Sequence, residues 1–525
     1  MTVKLFDSTL RDGNQARGLS FSLEDKLAIA RLLDGFGIHY IEGGWPNPTN
    51  QLDVEFFRRA REMEWKTARI ACFGSTRRPN RPAAEDQGLS YLLEAQCPVV
   101  TIFGKSWDLH VDHVLRVSRE ENLAMIQDTC AFLKGKSKEV VYDAEHFFDG
   151  WKANPDYARS TLKAAVEGGA DWLVLCETNG GMALSWELEE IVRQVGREFP
   201  GVKLGIHAHN DSGTGVANSL AAVRAGATQV QGTINGIGER CGNANLVTIV
   251  ANLQLKMNEA VVPDLTRLRQ VSLSVWEIAN LPPDMRAPYV GDAAFAHKGG
   301  MHIDGVVKLA RSFEHVDPVT VGNERELIVS DQGGGALVAA RLAEIAPNLD
   351  KKDPRVSGIL QEIKALESSG WHFEVAEASF KLLAARRLGL FVDPFEVTHY
   401  RVTEEMGTVA SEATVRVVVG DETAHTAAFG DGPIGALDAA LRKAVVRFFP
   451  ELKSVRLTDY KVRVLEGSSG TGSRVRVWVE STDGHRTWAT SGVSENIIEA
   501  SWLALVDSLQ YELFCRDRRT GTPER

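Results

Sequence analysis

The chain has 525 residues, 44% hydrophobic and 25% charged, which predicts about two to four soluble domains whose cores need no disulfide or metal staple. Lys+Arg 59 against Asp+Glu 70 leaves a net charge of −11, so the chain has no basic footprint for nucleic acid. No run approaches roughly 18 uncharged apolar residues, which argues against a membrane span. The opening MTVKLFDSTLRDG is charged at positions 4, 7, 11 and 12, and the cysteines at 72, 97, 130, 176, 241 and 515 form no CxxC pair, so the expected setting is the cytoplasm, without a signal peptide.

Residues 1–265 alternate β-branched runs with amphipathic stretches. Strands are expected at 3–10, 39–44, 67–74, 99–105, 139–146, 172–180, 203–211 and 229–236. Helical patterns lie between them, as at 22–37, 156–170 and 212–227, and several close in Gly. Eight such units in about 260 residues match an α/β fold of the (β/α)8 TIM-barrel type. An open doubly wound sheet is the competitor, but no GxGxxG follows the first run. Residues 266–388 read as a mainly helical linker that completes the active site. From 389 to 525, VRVVV (415–419) and VRVWV (475–479) recur at the same spacing as His425 and His485, and each is followed by a helical run. This predicts a duplicated α+β module for regulation or dimerisation.

The residues able to do chemistry cluster where the barrel strands should end: Arg11 and Asp12, Asp143 and Glu145, Glu177 and Thr178, His207 and His209, and Glu239. In a closed barrel those ends converge on one face. His207-Ala208-His209 places two imidazoles on one side of a strand, within reach of one ion. Alone, such a pair is as often an ordinary polar pair. Asp12 after the first strand and Asn243 after the eighth add oxygen donors, and Asn210-Asp211 can orient the rings. That set suits Mg²⁺, Mn²⁺ or Zn²⁺. Arg11 is either a salt-bridge residue at the mouth or the partner of a substrate carboxylate. Glu145 with Asp143 can carry acid–base work, and His302, after the glycine pair 299–300, can be delivered over an active site.

FDSTLRDGNQ (6–15), GIHAHND (205–211), NGIGERCGNANL (235–246) and FAHKGGMHIDG (295–305) resemble the metal-dependent Claisen-condensing barrel family that includes isopropylmalate, homocitrate and citramalate synthases. The segments at 21–46, 99–111, 142–155 and 170–181 are most similar to its longer bacterial members that use pyruvate. The resemblance implies an acyltransferase that condenses acetyl-CoA with pyruvate. A sister synthase taking another 2-oxo acid, or less strongly an acyl-CoA lyase using Cys241, is the alternative. It also implies a divalent metal on Asp12, His207, His209 and Asn243, and Arg11 and Thr178 against the substrate carboxylate. Glu145 and His302 become catalytic, His302 crossing the interface of a homodimer, and the C-terminal module takes isoleucine as effector. Two departures stand out. CETNGG (176–181) has Glu177 where the family has aspartate, which places an extra methylene near the substrate, and 321–330 lacks a tyrosine.

Overall fold

The computed structural model describes residues 3–328, 338, 341–342, 344–347, 349, 353–404, 410–465 and 473–520. Eight strands, β1 (Lys4–Asp7), β2 (Tyr40–Gly44), β3 (Arg69–Ser75), β4 (Val99–Lys105), β5 (Glu139–Glu145), β6 (Trp172–Glu177), β7 (Lys203–Ala208) and β8 (Gln229–Gly232), pair in parallel in chain order. Lys4–Asp7 of β1 registers against Gln229–Gly232 of β8, and this pairing closes the barrel.

Alternation along each strand divides the core in two. Phe6, Tyr40, Val99, Val141, Trp172 and Val174 point one way and form a cluster inside the barrel. Their neighbours Leu5, Ile41, Val100, Val140, Leu173 and Leu175 point the other way and join the surrounding helices. The helix Leu23–Phe36 shows why the chain turns back so sharply. Ser22 and Asp25 cap its start reciprocally, and Gly37, at φ 106°, ends it in a conformation that disfavours a side chain.

The expected strands at 3–10, 172–180, 203–211 and 229–236 are longer than the ladders that form. In each, the last residues leave the sheet and become the loop above it. The polar chemistry of the sequence sits in those loops and at the last strand positions.

The chain divides into two units, residues 1–295 with 316–324, and residues 296–315 with 325–525. The second unit contains the helices Gly300–Lys308, Pro354–Ser368 and Glu377–Leu388, then two similar modules. In one, the antiparallel strands Glu396–Thr403, Ser411–Val419 and Glu422–Gly430 precede the helix Pro433–Val445. In the other, Arg456–Val464, Val475–Thr482 and Thr487–Ser494 precede Ile497–Thr520. The duplication extends to details. Each first strand breaks register once, between Val397 and His399 and between Leu457 and Asp459. Each third strand anchors its helix by a threonine hydroxyl donating to an alanine carbonyl, Thr426 to Ala440 and Thr490 to Ala504, both at 2.7 Å. Among the described residues no helix is long and apolar enough to cross a membrane.

Candidate active site

At the C-terminal ends of the strands lies a cavity of about 240 Å³, lined by Arg11, Asp12, Asp143, Glu145, Thr178, His207, His209 and Arg240, with Trp45, Phe73 and Phe103 as an aromatic wall. His207 is on β7, and His209 is one residue past its end, held extended by a bridge to Asn243. Donor atoms of Asp12, His207 and His209 all lie within 4.8 Å of one another, and all three side chains are buried. The two Nε2 atoms face each other at 3.2 Å, and Asp12 Oδ2 is 3.3 Å from His207 Nε2.

This arrangement fits a divalent cation. Two imidazole nitrogens converge beside a carboxylate oxygen, and a buried Asn243 completes the group. Its Nδ2 donates to Asp12 Oδ2 at 2.8 Å and lies 3.3 Å from His207 Nε2, while its Oδ1 has no hydrogen-bond partner. A buried amide oxygen without a donor is costly, and turning the amide over would bring that oxygen, now directed at Gly238, to the side of the Asp12 and His207 donors where an ion would take it. Burial works against the Asp12 carboxylate, but Arg11, His207 and His209 more than offset it and hold its pKa well below the usual range. Burial and the neighbouring His207 push the His209 pKa down to about 3, which keeps its ring neutral, the form that binds metals.

The glycines of the 233–246 loop make room for Asn243. A Cβ on Gly238 would stand 2.0 Å from Asn243 Oδ1, and one on Gly242, at φ 87°, would stand 1.9 Å from the Gly236 carbonyl. Strain of that kind costs about 1–3 kcal/mol. Gly242→Ala is therefore expected to weaken Mn²⁺ binding about tenfold and to lower Tm without touching a candidate ligand; unchanged binding in a Mn²⁺ titration would contradict this.

Arg11 is held by β2: its Nε donates to the buried Glu42 carboxylate at 2.6 Å, and its guanidinium lies flat on the Phe73 ring, 3.8 Å from the centroid. Burial opposes the charge, yet Glu42 and Asp12 keep the group protonated. Its Nη1 lies 3.4 Å from Asp12 Oδ1, and the guanidinium lines the cavity. Glu145 ends β5 and pairs with Lys105. Thr178 Oγ1 accepts from the His146 backbone N–H at 2.9 Å. Asp143 is buried deeper, and desolvation pushes its pKa up to about 7. His302 belongs to the second unit, on Gly300–Lys308, with its ring centroid 4.8 Å from that of Phe313, while His297 bonds Glu314 at 3.1 Å.

Two sequence-based expectations change. Asn210 and Asp211 do not orient the histidine rings. Asn210 Oδ1 accepts from Gly215 N–H at 3.1 Å, and Asp211 pairs with Arg240, whose Nη2 also reaches the Thr178 carbonyl. The residue that does hold His207 is Gln231, on β8, at 3.0 Å. Nor does Glu177 face the substrate cavity. Cys176 and Thr178 line it, so alternation sends the residue between them the other way. Glu177 Oε1 accepts the Gly181 and Met182 backbone N–H groups at 2.7 and 3.1 Å and so holds the following loop. An aspartate is one methylene too short for both bonds, each worth about 1 kcal/mol. Glu177→Asp should lower Tm by about 3 °C and leave the preference among 2-oxo acids within about twofold. A tenfold change in that preference would contradict this placement.

The comparisons agree with this architecture. Residues 2–275 match the HMGL-like family, residues 289–370 the homocitrate synthase post-HMGL domain-like family, and residues 374–513 the LeuA allosteric (dimerisation) domain. An (R)-citramalate synthase of Aquifex aeolicus is 53% identical, covering 99% of both chains. That of Geobacter sulfurreducens is 52% identical over 99% of both, and that of a Synechocystis strain 49% over 97% of this chain and 96% of its own. A family match over half the chain, with relatives this similar from end to end, shows that the protein belongs to the HMGL-like family, among its citramalate synthases.

Proposed function

We propose that this protein condenses acetyl-CoA with pyruvate and water to give citramalate and free CoA, the entry step of a threonine-independent route to isoleucine. One observation carries this reading: Asp12, His207 and His209, with Asn243 bonded to Asp12, share a single cavity with the Arg11 guanidinium in a chain that aligns end to end with citramalate synthases. When bound, the divalent ion (Mg²⁺, Mn²⁺ or Zn²⁺) supplies Lewis acidity toward the carboxylate and keto oxygens of the 2-oxo acid.

The chain's own residues do the rest. Arg11 neutralises the substrate carboxylate, and Thr178 borders it. The Trp45, Phe73 and Phe103 wall keeps the cavity small and dry, which suits a keto acid with a short side chain. Glu145 and His302 carry the proton taken from the acetyl methyl group. The resulting carbanion attacks C2, and water then cleaves the thioester. Cys241, the thiol a lyase reading needs, is exposed and does not line the cavity.

The proposal extends to the rest of the chain. Residues 1–265 form the catalytic barrel, 266–388 complete the site, and 389–525 bind isoleucine and join two chains into a homodimer in the cytoplasm. CoA release by chelator-treated protein tests the reading. Release should require acetyl-CoA, pyruvate and added Mn²⁺ or Mg²⁺ together, with citramalate as the carbon product; release without pyruvate or metal would overturn it.

A further inference from the structure

Gln231 lies one strand away from the candidate metal ligands, buried on β8, and neither the family motifs nor the candidate ligand set includes it. Its amide makes three contacts inside the barrel. Oε1 is 3.0 Å from His207 Nδ1, and Nε2 donates to Asp143 Oδ1 at 3.2 Å and to Gln229 Oε1 at 3.3 Å. With Asp143 ionised, as in alkaline buffer, its oxygen can only accept, so the NH₂ group faces Asp143 and the carbonyl oxygen faces the histidine. A carbonyl oxygen only accepts, so His207 Nδ1 must carry the hydrogen. In the neutral ring the lone pair is then on Nε2, the nitrogen that faces Asp12, His209 and Asn243.

His209 offers the contrast. Its Nδ1 is buried and has no partner, so nothing among the described residues fixes its proton. Of the two rings, only that of His207 has a partner on Nδ1 among the described residues, and that partner is the Gln231 amide. We infer that Gln231 is a positioning residue that fixes the tautomer and the ring plane of His207, with Asp143 and Gln229 fixing the amide in turn. The inference rests on the proposed ligand set and deepens it: the site's readiness to bind an ion is set before any ion arrives, by a side chain on the neighbouring strand.

The test uses metal-free, full-length protein with labelled histidine, in alkaline buffer. ¹H–¹⁵N correlation spectra should show His207, assigned by its loss in His207→Gln, as the Nδ1–H tautomer; an Nε2–H tautomer would overturn the inference without any further variant. Mn²⁺ titrations followed by EPR then read the consequence. Gln231→Met removes the acceptor and should weaken Mn²⁺ binding about 10–100-fold and move His207 toward Nε2–H. Gln231→Glu keeps an acceptor oxygen opposite Nδ1 and should bind Mn²⁺ within about threefold of wild type, where a merely space-filling role would rank the two variants the other way. Equal affinity of Gln231→Met and wild type would overturn the inference. Asp12→Asn separates the two claims. If it too binds Mn²⁺ as wild type does, the ligand set itself is wrong, whereas a silent Gln231→Met beside a weakened Asp12→Asn removes only the role of Gln231.

Discussion

Replacing His209 with alanine is expected to abolish turnover while leaving the fold intact. The ring is buried and makes no hydrogen bond through Nδ1, and its Nε2 faces another ring nitrogen at 3.2 Å. In the absence of an ion, removing it costs one ring-to-ring hydrogen bond and the packing of one ring. In the presence of an ion it removes one of three protein donors that converge within 4.8 Å. A bound metal contributes several kcal/mol to stabilising charge in the transition state, and each 1.36 kcal/mol is a factor of ten in rate. CoA release by His209→Ala should therefore fall at least about 10³-fold even in excess Mn²⁺. Tm of the metal-free variant should stay within about 3 °C of wild type. Normal activity in fully metallated buffer would remove His209 from the site.

Arg11 gives the second large effect, on both stability and binding. Glu42, fully buried, relies on Arg11 Nε at 2.6 Å, and its other oxygen has no partner. Arg11→Ala leaves that carboxylate uncompensated, which costs about 3–5 kcal/mol. It also removes the cation proposed to hold the substrate carboxylate, so the KM for pyruvate should rise by about two orders of magnitude. The double variant Arg11→Ala/Glu42→Gln separates the two effects. Neutralising Glu42 should restore most of the lost stability in urea denaturation, while KM stays high. Recovery of KM together with stability would make Arg11 purely structural.

Much of the fold and of the site is legible in the amino-acid sequence. The barrel follows from eight runs that alternate with helical patterns, and the repeat of the second unit follows from VRVVV and VRVWV. The His207–His209 spacing is equally direct, because residues two apart on extended backbone share a face. Strand ends are harder to read. Polar residues that leave the ladder, such as Thr9 and Asn179, are of the same kind as those that stay, and only hydrogen bonding to the next strand decides between them. Glu177 shows how a motif misleads: CETNGG differs from the family's pattern at a position whose side chain turns toward the Gly181–Met182 backbone. Gln231 escapes a reading by motif, although a signal exists. Gln229 and Gln231 put two amides at alternate positions of one buried strand, where apolar residues are the rule.

The central claim is that this barrel chooses pyruvate, and steady-state CoA release across five 2-oxo acids tests it most directly: pyruvate, 2-oxobutyrate, 2-oxoisovalerate, 2-oxoglutarate and glyoxylate, each with acetyl-CoA and Mn²⁺. The account predicts a kcat/KM for pyruvate higher by orders of magnitude than for the branched and dicarboxylic acids. The extra methyl of 2-oxobutyrate should cost about 1–3 kcal/mol, a factor of roughly 10–200. A preference for 2-oxoisovalerate or 2-oxoglutarate would contradict the account, leaving the barrel and its candidate metal site in place but assigning them to a different condensation.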